Sequence, residues 1–213
     1  METLTIVDEI VTGSLLGDGM IWRNLDAPYQ NCKFQKGQSR TDHAGKDKMG
    51  YLQWQKDKLP FKTSILPGES ILNGKKYFKY TLTTEASDCF NTIEKKWYIE
   101  EDNGRLRRRK IVPTDLKLTP LALCIWYMDD GSNCAKDANI TLCTHGFNRE
   151  EVDFLRFVLK HSLGVDSSVK NQRNRPMIYV GRKSYFDFID LVKPCVAWDC
   201  FGYKIDTTEY KRS

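Results

Sequence analysis

Asp18 is followed by Gly19, and Asp130 by Gly131, and each pair closes an apolar stretch of helical composition. The first stretch runs Ile6-Val7-Asp8-Glu9-Ile10-Val11-Thr12-Gly13-Ser14-Leu15-Leu16-Gly17, the second Leu121-Ala122-Leu123-Cys124-Ile125-Trp126-Tyr127-Met128-Asp129. Glycine just past a helix is a natural C-cap, because it takes the left-handed conformation cheaply. A carboxylate immediately before it is locally unfavourable, since a helix C-terminus carries partial negative charge and unpaired carbonyls. A bound cation reverses that sign. Carboxylate and carbonyl oxygens together make a hard-oxygen site suited to Mg²⁺. Two such helices side by side would bring Asp18 and Asp130 together as paired ligands. Ions held in this way can activate water and stabilise charge on a phosphodiester with no histidine involved.

Other chemistries are poorly supplied. The three histidines (43, 145, 161) are too scattered for a zinc signature or a Ser-His-Asp triad. Seven cysteines (32, 89, 124, 134, 143, 195, 200) are an odd number without a CxxC pair, which reads as reduced thiols.

The two helices must approach closely for the acids to meet. Gly13 and Gly17 are four residues apart and share a helix face, which leaves a hollow. The equivalent face of the second helix carries Ile125 and Asp129 with Trp126 beside them, and these larger side chains are expected to fill it. Around the helices the sequence repeats an order. After the first come β-favouring stretches at Met20–Asp26, Cys32–Gln38 and Lys75–Thr83, with amphipathic helices near Met49–Leu59 and Ser87–Trp97. After the second come Asn139–Thr144 and Ser168–Val180, with helices at Arg149–Ser162 and Ser184–Lys193. This is an internal duplication of roughly 100-residue units. The expected fold class is α+β: pseudo-symmetric, duplicated αββαββα units with two antiparallel sheets and the motif helices paired at the interface. The acidic turn Glu100-Glu101-Asp102-Asn103-Gly104, the basic run Arg105–Lys110 and Pro113 mark the connection. They divide the chain into a unit at 1–104, a basic linker at 105–118 and a unit at 119–213.

An antiparallel sheet covered by helices on one face presents alternate residues on the other. In Ser168–Arg182 one parity holds Lys170, Gln172, Asn174 and Pro176, and the other Val169, Asn171, Arg173 and Arg175. Lys33, Gln35 and Gly37 alternate likewise, as do Lys75, Tyr77 and Lys79. Arg, Lys, Gln and Asn can read base edges, and the cations can also contact phosphates. Arg23, Lys33, Gln38, Lys75, Lys79, Lys170, Arg173, Arg175 and Arg182 are the candidates for such contacts.

Composition sets the outer bounds. The 213 residues carry a net charge of +5, with 40% apolar and 29% charged residues, an ordinary globular balance. The longest apolar run, Leu121–Met128, falls far short of the roughly 20 residues needed to span a bilayer. The N-terminus is acidic and lacks a positive n-region, so neither a membrane span nor secretion is expected.

With these features the chain resembles the LAGLIDADG homing endonucleases, in their single-chain, two-motif branch. Val11-Thr12-Gly13-Ser14-Leu15-Leu16-Gly17-Asp18-Gly19 is similar to the first motif, and Leu118-Thr119-Pro120-Leu121-Ala122-Leu123-Cys124-Ile125-Trp126-Tyr127-Met128-Asp129-Asp130-Gly131 to the second. Phe147–Val152 and Arg175–Val180, continuing through Tyr185, Lys193-Pro194 and Gly202-Tyr203-Lys204, extend the resemblance over nearly the whole chain.

The resemblance implies a monomeric DNA-binding saddle that cuts both strands of its double-stranded target across the minor groove and leaves 3′ overhangs. It implies two or three Mg²⁺ (or Mn²⁺) ions shared between Asp18 and Asp130, with the carbonyls of Gly17 and Asp129 completing the sites. The Asp129 carboxylate is not the catalytic one in that reading. Lys110 and Lys204 would lie near the scissile phosphates. Gln172 would orient water in the second half; in the first, Gln35 is favoured, with Gln38 the alternative. A maturase assisting group I intron splicing is the other function found on this scaffold, with its own intron RNA as partner, and a DNA-binding regulator is a third. An organelle matrix or stroma, or a bacterial or phage cytoplasm, is the implied location.

Overall fold

Each Asp-Gly segment follows a helix and leads into a strand. The computed structural model describes residues 5–24, 31–42, 44–72, 74–102, 106–196 and 199–208. The first unit contains α1 (Ile6–Leu16), β1 (Gly19–Trp22), β2 (Lys33–Ser39), α2 (Met49–Lys58), β3 (Thr63–Leu72), β4 (Lys75–Thr84) and α3 (Asp88–Trp97). The second contains α4 (Pro120–Asp130), β7 (Gly131–Cys134), β8 (Asn139–Leu142), α5 (Arg149–Leu163), β9 (Ser168–Gln172), β10 (Arg175–Val180) and α6 (Arg182–Val192). Between them lies the hairpin of β5 (Tyr98–Asp102) and β6 (Leu106–Lys110), and the short helix α7 (Gly202–Ile205) follows. The αββαββα order therefore occurs twice. The sheets repeat it in space, with strand orders β1-β2-β4-β3 and β7-β8-β10-β9 and antiparallel neighbours throughout.

Local chemistry starts the motif helices where they start. Thr5 caps α1 in a reciprocal capping box with Asp8, and Thr119 caps α4 just ahead of Pro120 in the first helical turn. The helices then pack along the glycine face. A Cβ on Gly13 would strike the Ala122 carbonyl and lie 2.8 Å from Ile125 Cβ, and one on Gly17 would lie 2.6 Å from Asp129 Cβ. The expected hollow and its filling are both present, with Trp126 buried beside them.

Three expectations require correction. Gly19 and Gly131 do not adopt the left-handed conformation, which among described glycines occurs at Gly45, Gly74 and Gly164. Gly19 and Gly131 are required by close approach instead: a Cβ on Gly19 would lie 2.7 Å from Ser14 Cβ, and one on Gly131 would strike the Tyr127 ring. Second, Thr63–Leu72 is a strand, hidden in the sequence by Pro67-Gly68. It lies at the sheet edge, where proline is tolerated.

Third, Ser168–Val180 is a hairpin with Arg173-Asn174 as its two-residue turn, at φ 52° and 61°. The turn shifts the parity. Gln172 pairs with Arg175 and Lys170 with Met177, so Arg175, Met177 and Tyr179 share the face of Lys170 and Gln172, while Pro176 does not. The basic run is also structured: Leu106–Lys110 pairs with Tyr98–Asp102, while Asn103, Gly104 and Arg105 of the expected boundary lie outside the described residues.

Candidate active site

Asp130 is the last residue of α4, and Asp18 lies two residues past α1. Neither carboxylate has a hydrogen bond or ion pair among the described residues, although Asp18 is exposed and Asp130 half-buried. Both are costly to ionise in the absence of a cation. Loss of hydration, then the charge of Asp129, pushes Asp18 up to about 6. Loss of hydration, then the charges of Asp18 and Asp129, pushes Asp130 up to about 7.

The carbonyls around them are held by two lysines, half-buried Lys110 and buried Lys204. Lys110 Nζ donates to the carbonyls of Leu15 (2.7 Å), Gly17 (3.3 Å) and Gly19 (2.8 Å). Lys204 Nζ donates to those of Tyr127 (2.9 Å) and Met128 (2.7 Å), and Tyr127 Oη returns a 2.6 Å bond to the Lys204 carbonyl. Each lysine thus caps the C-terminus of one motif helix, where a cation is favoured. Burial lowers both ammonium groups to about 8, against the pull of the nearby aspartates.

The donor set suits a hard divalent cation. Two carboxylates without partners among the described residues stand beside main-chain carbonyls, and a cavity of about 110 Å³ opens between Gly17, Lys110, Asp130 and the Cys143–Phe147 loop. No cluster of three or more His, Cys, Asp or Glu side chains among the described residues is arranged for an ion. A cation here would draw on the two acids, carbonyls, water and substrate oxygens. None of the cysteines among the described residues is joined in a disulfide.

Asp129 plays a different part from Asp130. Its side chain is fully buried, forms an ion pair with Lys36 Nζ at 2.8 Å, and accepts a 2.9 Å bond from Tyr51 Oη. Sequence reasoning missed Lys36, Tyr51 and Lys48. Lys36 alternates with outward-facing residues and shares its parity with Phe34, and that parity was the signal that could have found it. Lys48 is buried too, and donates to Gln38 Oε1 at 3.4 Å and Ser39 Oγ at 3.1 Å.

The expected water-orienting residues fall in unlike places. Gln35 is on the open face of β2, whereas Gln38 is buried on the helix-facing side with Lys36. Gln172 is exposed at the tip of β9, an edge strand. Register places a different residue in the position of Gln35. Gly19 pairs with Lys36 and Met20 with Gln35, as Gly131 pairs with Leu142 and Ser132 with Thr141. Thr141 is therefore the counterpart of Gln35, and it shares a 2.5 Å hydrogen bond with Ser132 Oγ.

The expected DNA-binding residues divide similarly. Lys33, Lys75 and Lys79 share the outward face of the first sheet, and Lys170 and Arg175 that of the second. Lys33 lies over the Trp22 ring and Lys170 over the Tyr179 ring, so aromatic faces hold both cations in place. Arg173 is in the hairpin turn and Arg182 opens α6. Arg23 is tied to Glu100 at 2.7 Å and Glu94 at 3.4 Å. Buried Gln38 is badly placed for a base contact.

A duplicated unit with two open antiparallel sheet faces, and with acids at the ends of its paired helices, defines a two-motif saddle protein. The chain belongs to the LAGLIDADG DNA endonuclease family, whose pattern it matches over residues 8–188. It is 30% identical over 197 residues to the cytochrome b mRNA maturase bI2 of Saccharomyces cerevisiae, which covers 88% of this chain and 44% of that protein. It is 23% identical over 207 residues to the DNA endonuclease I-ChuI of Chlamydomonas applanata, covering 92% and 93% of the two chains. The fold is shared with the homing endonuclease I-WcaI bound to its DNA recognition sequence, at a TM-score of 0.76 and 24% identity over 97% of this chain and 88% of that one. The chain thus spans less than half the length of the yeast maturase. Among the described residues no helix is long and apolar enough to cross a membrane.

Proposed function

We propose that this protein is a site-specific double-strand DNA endonuclease that hydrolyses phosphodiesters with divalent metal and leaves 3′ overhangs. The observation that carries the reading is the convergence of Asp18 and Asp130, without partners among the described residues, at the ends of two tightly packed helices. Mg²⁺ or Mn²⁺, as two or three ions shared between those acids, would supply Lewis-acid stabilisation and an activated water. Asp18 and Asp130 would hold the ions with the Gly17 and Asp129 carbonyls. Lys110 and Lys204 fix those helix ends and place positive charge near the phosphates. Gln35 in the first half and Thr141 in the second are placed to orient water, in preference to Gln38 and Gln172.

The working division is a unit at 1–104, a connector at 105–118 and a unit at 119–213, acting as a monomer. Outward cations on both sheets would grip the duplex. The location that fits is an organelle matrix or a bacterial or phage cytoplasm. Incubation with a library of long duplexes and Mg²⁺, followed by sequencing of the ends, tests this directly. Discrete sites with 3′ overhangs are expected, and absence of any cut site sinks the proposal.

Two further results are expected. Lys110→Met should slow cleavage at least ~10²-fold, because a positive charge preorganised at the phosphates is lost. A filter-binding assay should show duplex affinity within a few-fold of the parent protein. Lys33→Gln, Lys79→Gln and Lys170→Gln should each weaken binding to all duplexes and reduce the slope of log affinity against log salt by about 1. An unchanged slope would take that lysine out of the interface.

The likeness to cytochrome b mRNA maturases supports a second reading, group I intron splicing with intron RNA as partner. Splicing of the parent intron that needs this protein, with no duplex cut, would favour it.

A further inference from the structure

The two halves follow one plan but differ at one buried place. Asp129 stands one residue before Asp130 as Gly17 stands before Asp18, and register makes Leu142 the counterpart of Lys36. One side of the pseudo-twofold therefore holds a buried ion pair, Lys36 with Asp129, where the other holds leucine and glycine.

The ion pair is fully satisfied. Lys36 Nζ has three donors, and they meet Asp129 Oδ2 at 2.8 Å, Tyr51 Oη at 2.9 Å and Ser14 Oγ at 3.2 Å. Tyr51 Oη in turn donates a hydrogen bond to Asp129 Oδ1 at 2.9 Å, closing a ring of three side chains. All of them are fully buried, so the cluster is rigid and costly to break on one side only. It has one outlet toward the reacting acids: Asp129 Oδ2 accepts the backbone N–H of Asp18 at 3.4 Å. Asp18 needs such a hold, because it lies beyond the end of α1, after a non-helical Gly17 at φ −111° and ψ −128°. Asp130 is still within its helix and has no such need.

We propose that Asp129, clamped by Lys36 and Tyr51, is a positioning residue for Asp18 alone, and that this one-sided support makes the two half-sites unequal, so that one DNA strand is cut before the other. The second clause rests on the endonuclease reading; the first does not. Lys36 and Tyr51 touch neither substrate nor ion in this account and act through Asp129.

Two variants test it. Tyr51→Phe removes one hydrogen bond to Asp129 and one acceptor of Lys36 Nζ, and keeps the ion pair. Lys36→Leu with Asp129→Ala removes both partners together, which avoids an unpaired buried charge. Amide hydrogen exchange by ¹⁵N NMR should show the Asp18 N–H exchanging about 3-fold faster in the first variant and about tenfold faster in the second, with the Asp130 N–H unchanged. With a supercoiled plasmid carrying the cut site, the parent protein should accumulate one nicked strand, and the ratio of the two strand rates should shift at least about 3-fold in the double variant. Equal changes at the Asp18 and Asp130 amides, or none, would overturn the positioning role. An unchanged strand ratio in a folded variant with a loosened Asp18 would overturn the asymmetry. If the parent cuts no duplex, the endonuclease reading fails with the strand order that rests on it, while the amide result still decides the role of Asp129.

Discussion

Asp18→Asn and Asp130→Asn proteins are expected to fold, to bind duplex DNA with near-parent affinity, and to cleave it at least ~10³-fold more slowly, a loss of about 4 kcal/mol of transition-state stabilisation. The argument runs from partners to charge. Neither carboxylate has a protein hydrogen bond or ion pair to lose among the described residues, so asparagine removes no structural contact. What it removes is the negative charge that would neutralise a divalent cation beside the scissile phosphate. In the proposed reading DNA affinity would be set elsewhere, by cations on the outward sheet faces such as Lys33, Lys79 and Lys170. Parallel cleavage and filter-binding assays separate the two effects, and normal cleavage by either variant would remove that acid from the site.

The same substitutions carry a pH signature in metal-free protein. Asp130 is raised from 3.8 in the unfolded chain to about 7 in the folded one, mainly by burial. A raised carboxyl binds its proton more tightly when folded, so stability is fullest below the unfolded value and falls as pH rises toward 7. Asparagine cannot ionise and escapes that loss. Thermal melts without metal should therefore place Asp130→Asn above the parent at pH 8, with the advantage gone near pH 4. Added Mg²⁺ should stabilise the parent more than the variant, because only the parent retains both acids.

Much of the site could be read from spacing because it is built from repeated local rules. The Asp-Gly pairs, the Gly13/Gly17 face and the repeated element order are visible in one dimension, and all of them fix α1 against α4. The residues that escaped notice depend on contacts remote in sequence. Lys36 and Asp129 are far apart in the chain and meet only in the folded protein; strand parity separates Lys36 from Lys33 but does not name its partner. The Arg173-Asn174 turn was missed for another reason. It contains no glycine, so an alternation that in fact reverses at the turn was carried straight through it. The counterpart of Gln35 is likewise set by pairing across the sheet, which makes it Thr141 and not a residue that local spacing picks out.

Gly17→Leu is expected to have the largest effect on stability. The helices α1 and α4 are the main contact between the two halves, and their closest approach is over Gly13 and Gly17. At Gly17 even a methyl group would lie 2.6 Å from Asp129 Cβ and 2.9 Å from Asp129 Oδ2, well inside van der Waals contact. Asp129 cannot swing away, because Lys36 and Tyr51 hold its carboxylate in a fully buried pocket. Leucine must then either push the helices apart or displace a buried charge from its partner. Overpacking costs about 3 kcal/mol in a rigid core, and stranding a buried charge adds to it. For a chain of this length such a loss lowers the melting temperature by roughly 6–12 °C. Ile6→Leu, at an exposed position in the first turn of α1, is the control, with little expected change. Differential scanning calorimetry of the two proteins decides the matter: equal melting temperatures would mean that the halves do not depend on this close helix contact. Because Gly17 also adjoins Asp18, the leucine variant should lose cleavage even below its melting transition, where the fold persists but the two acids are driven apart.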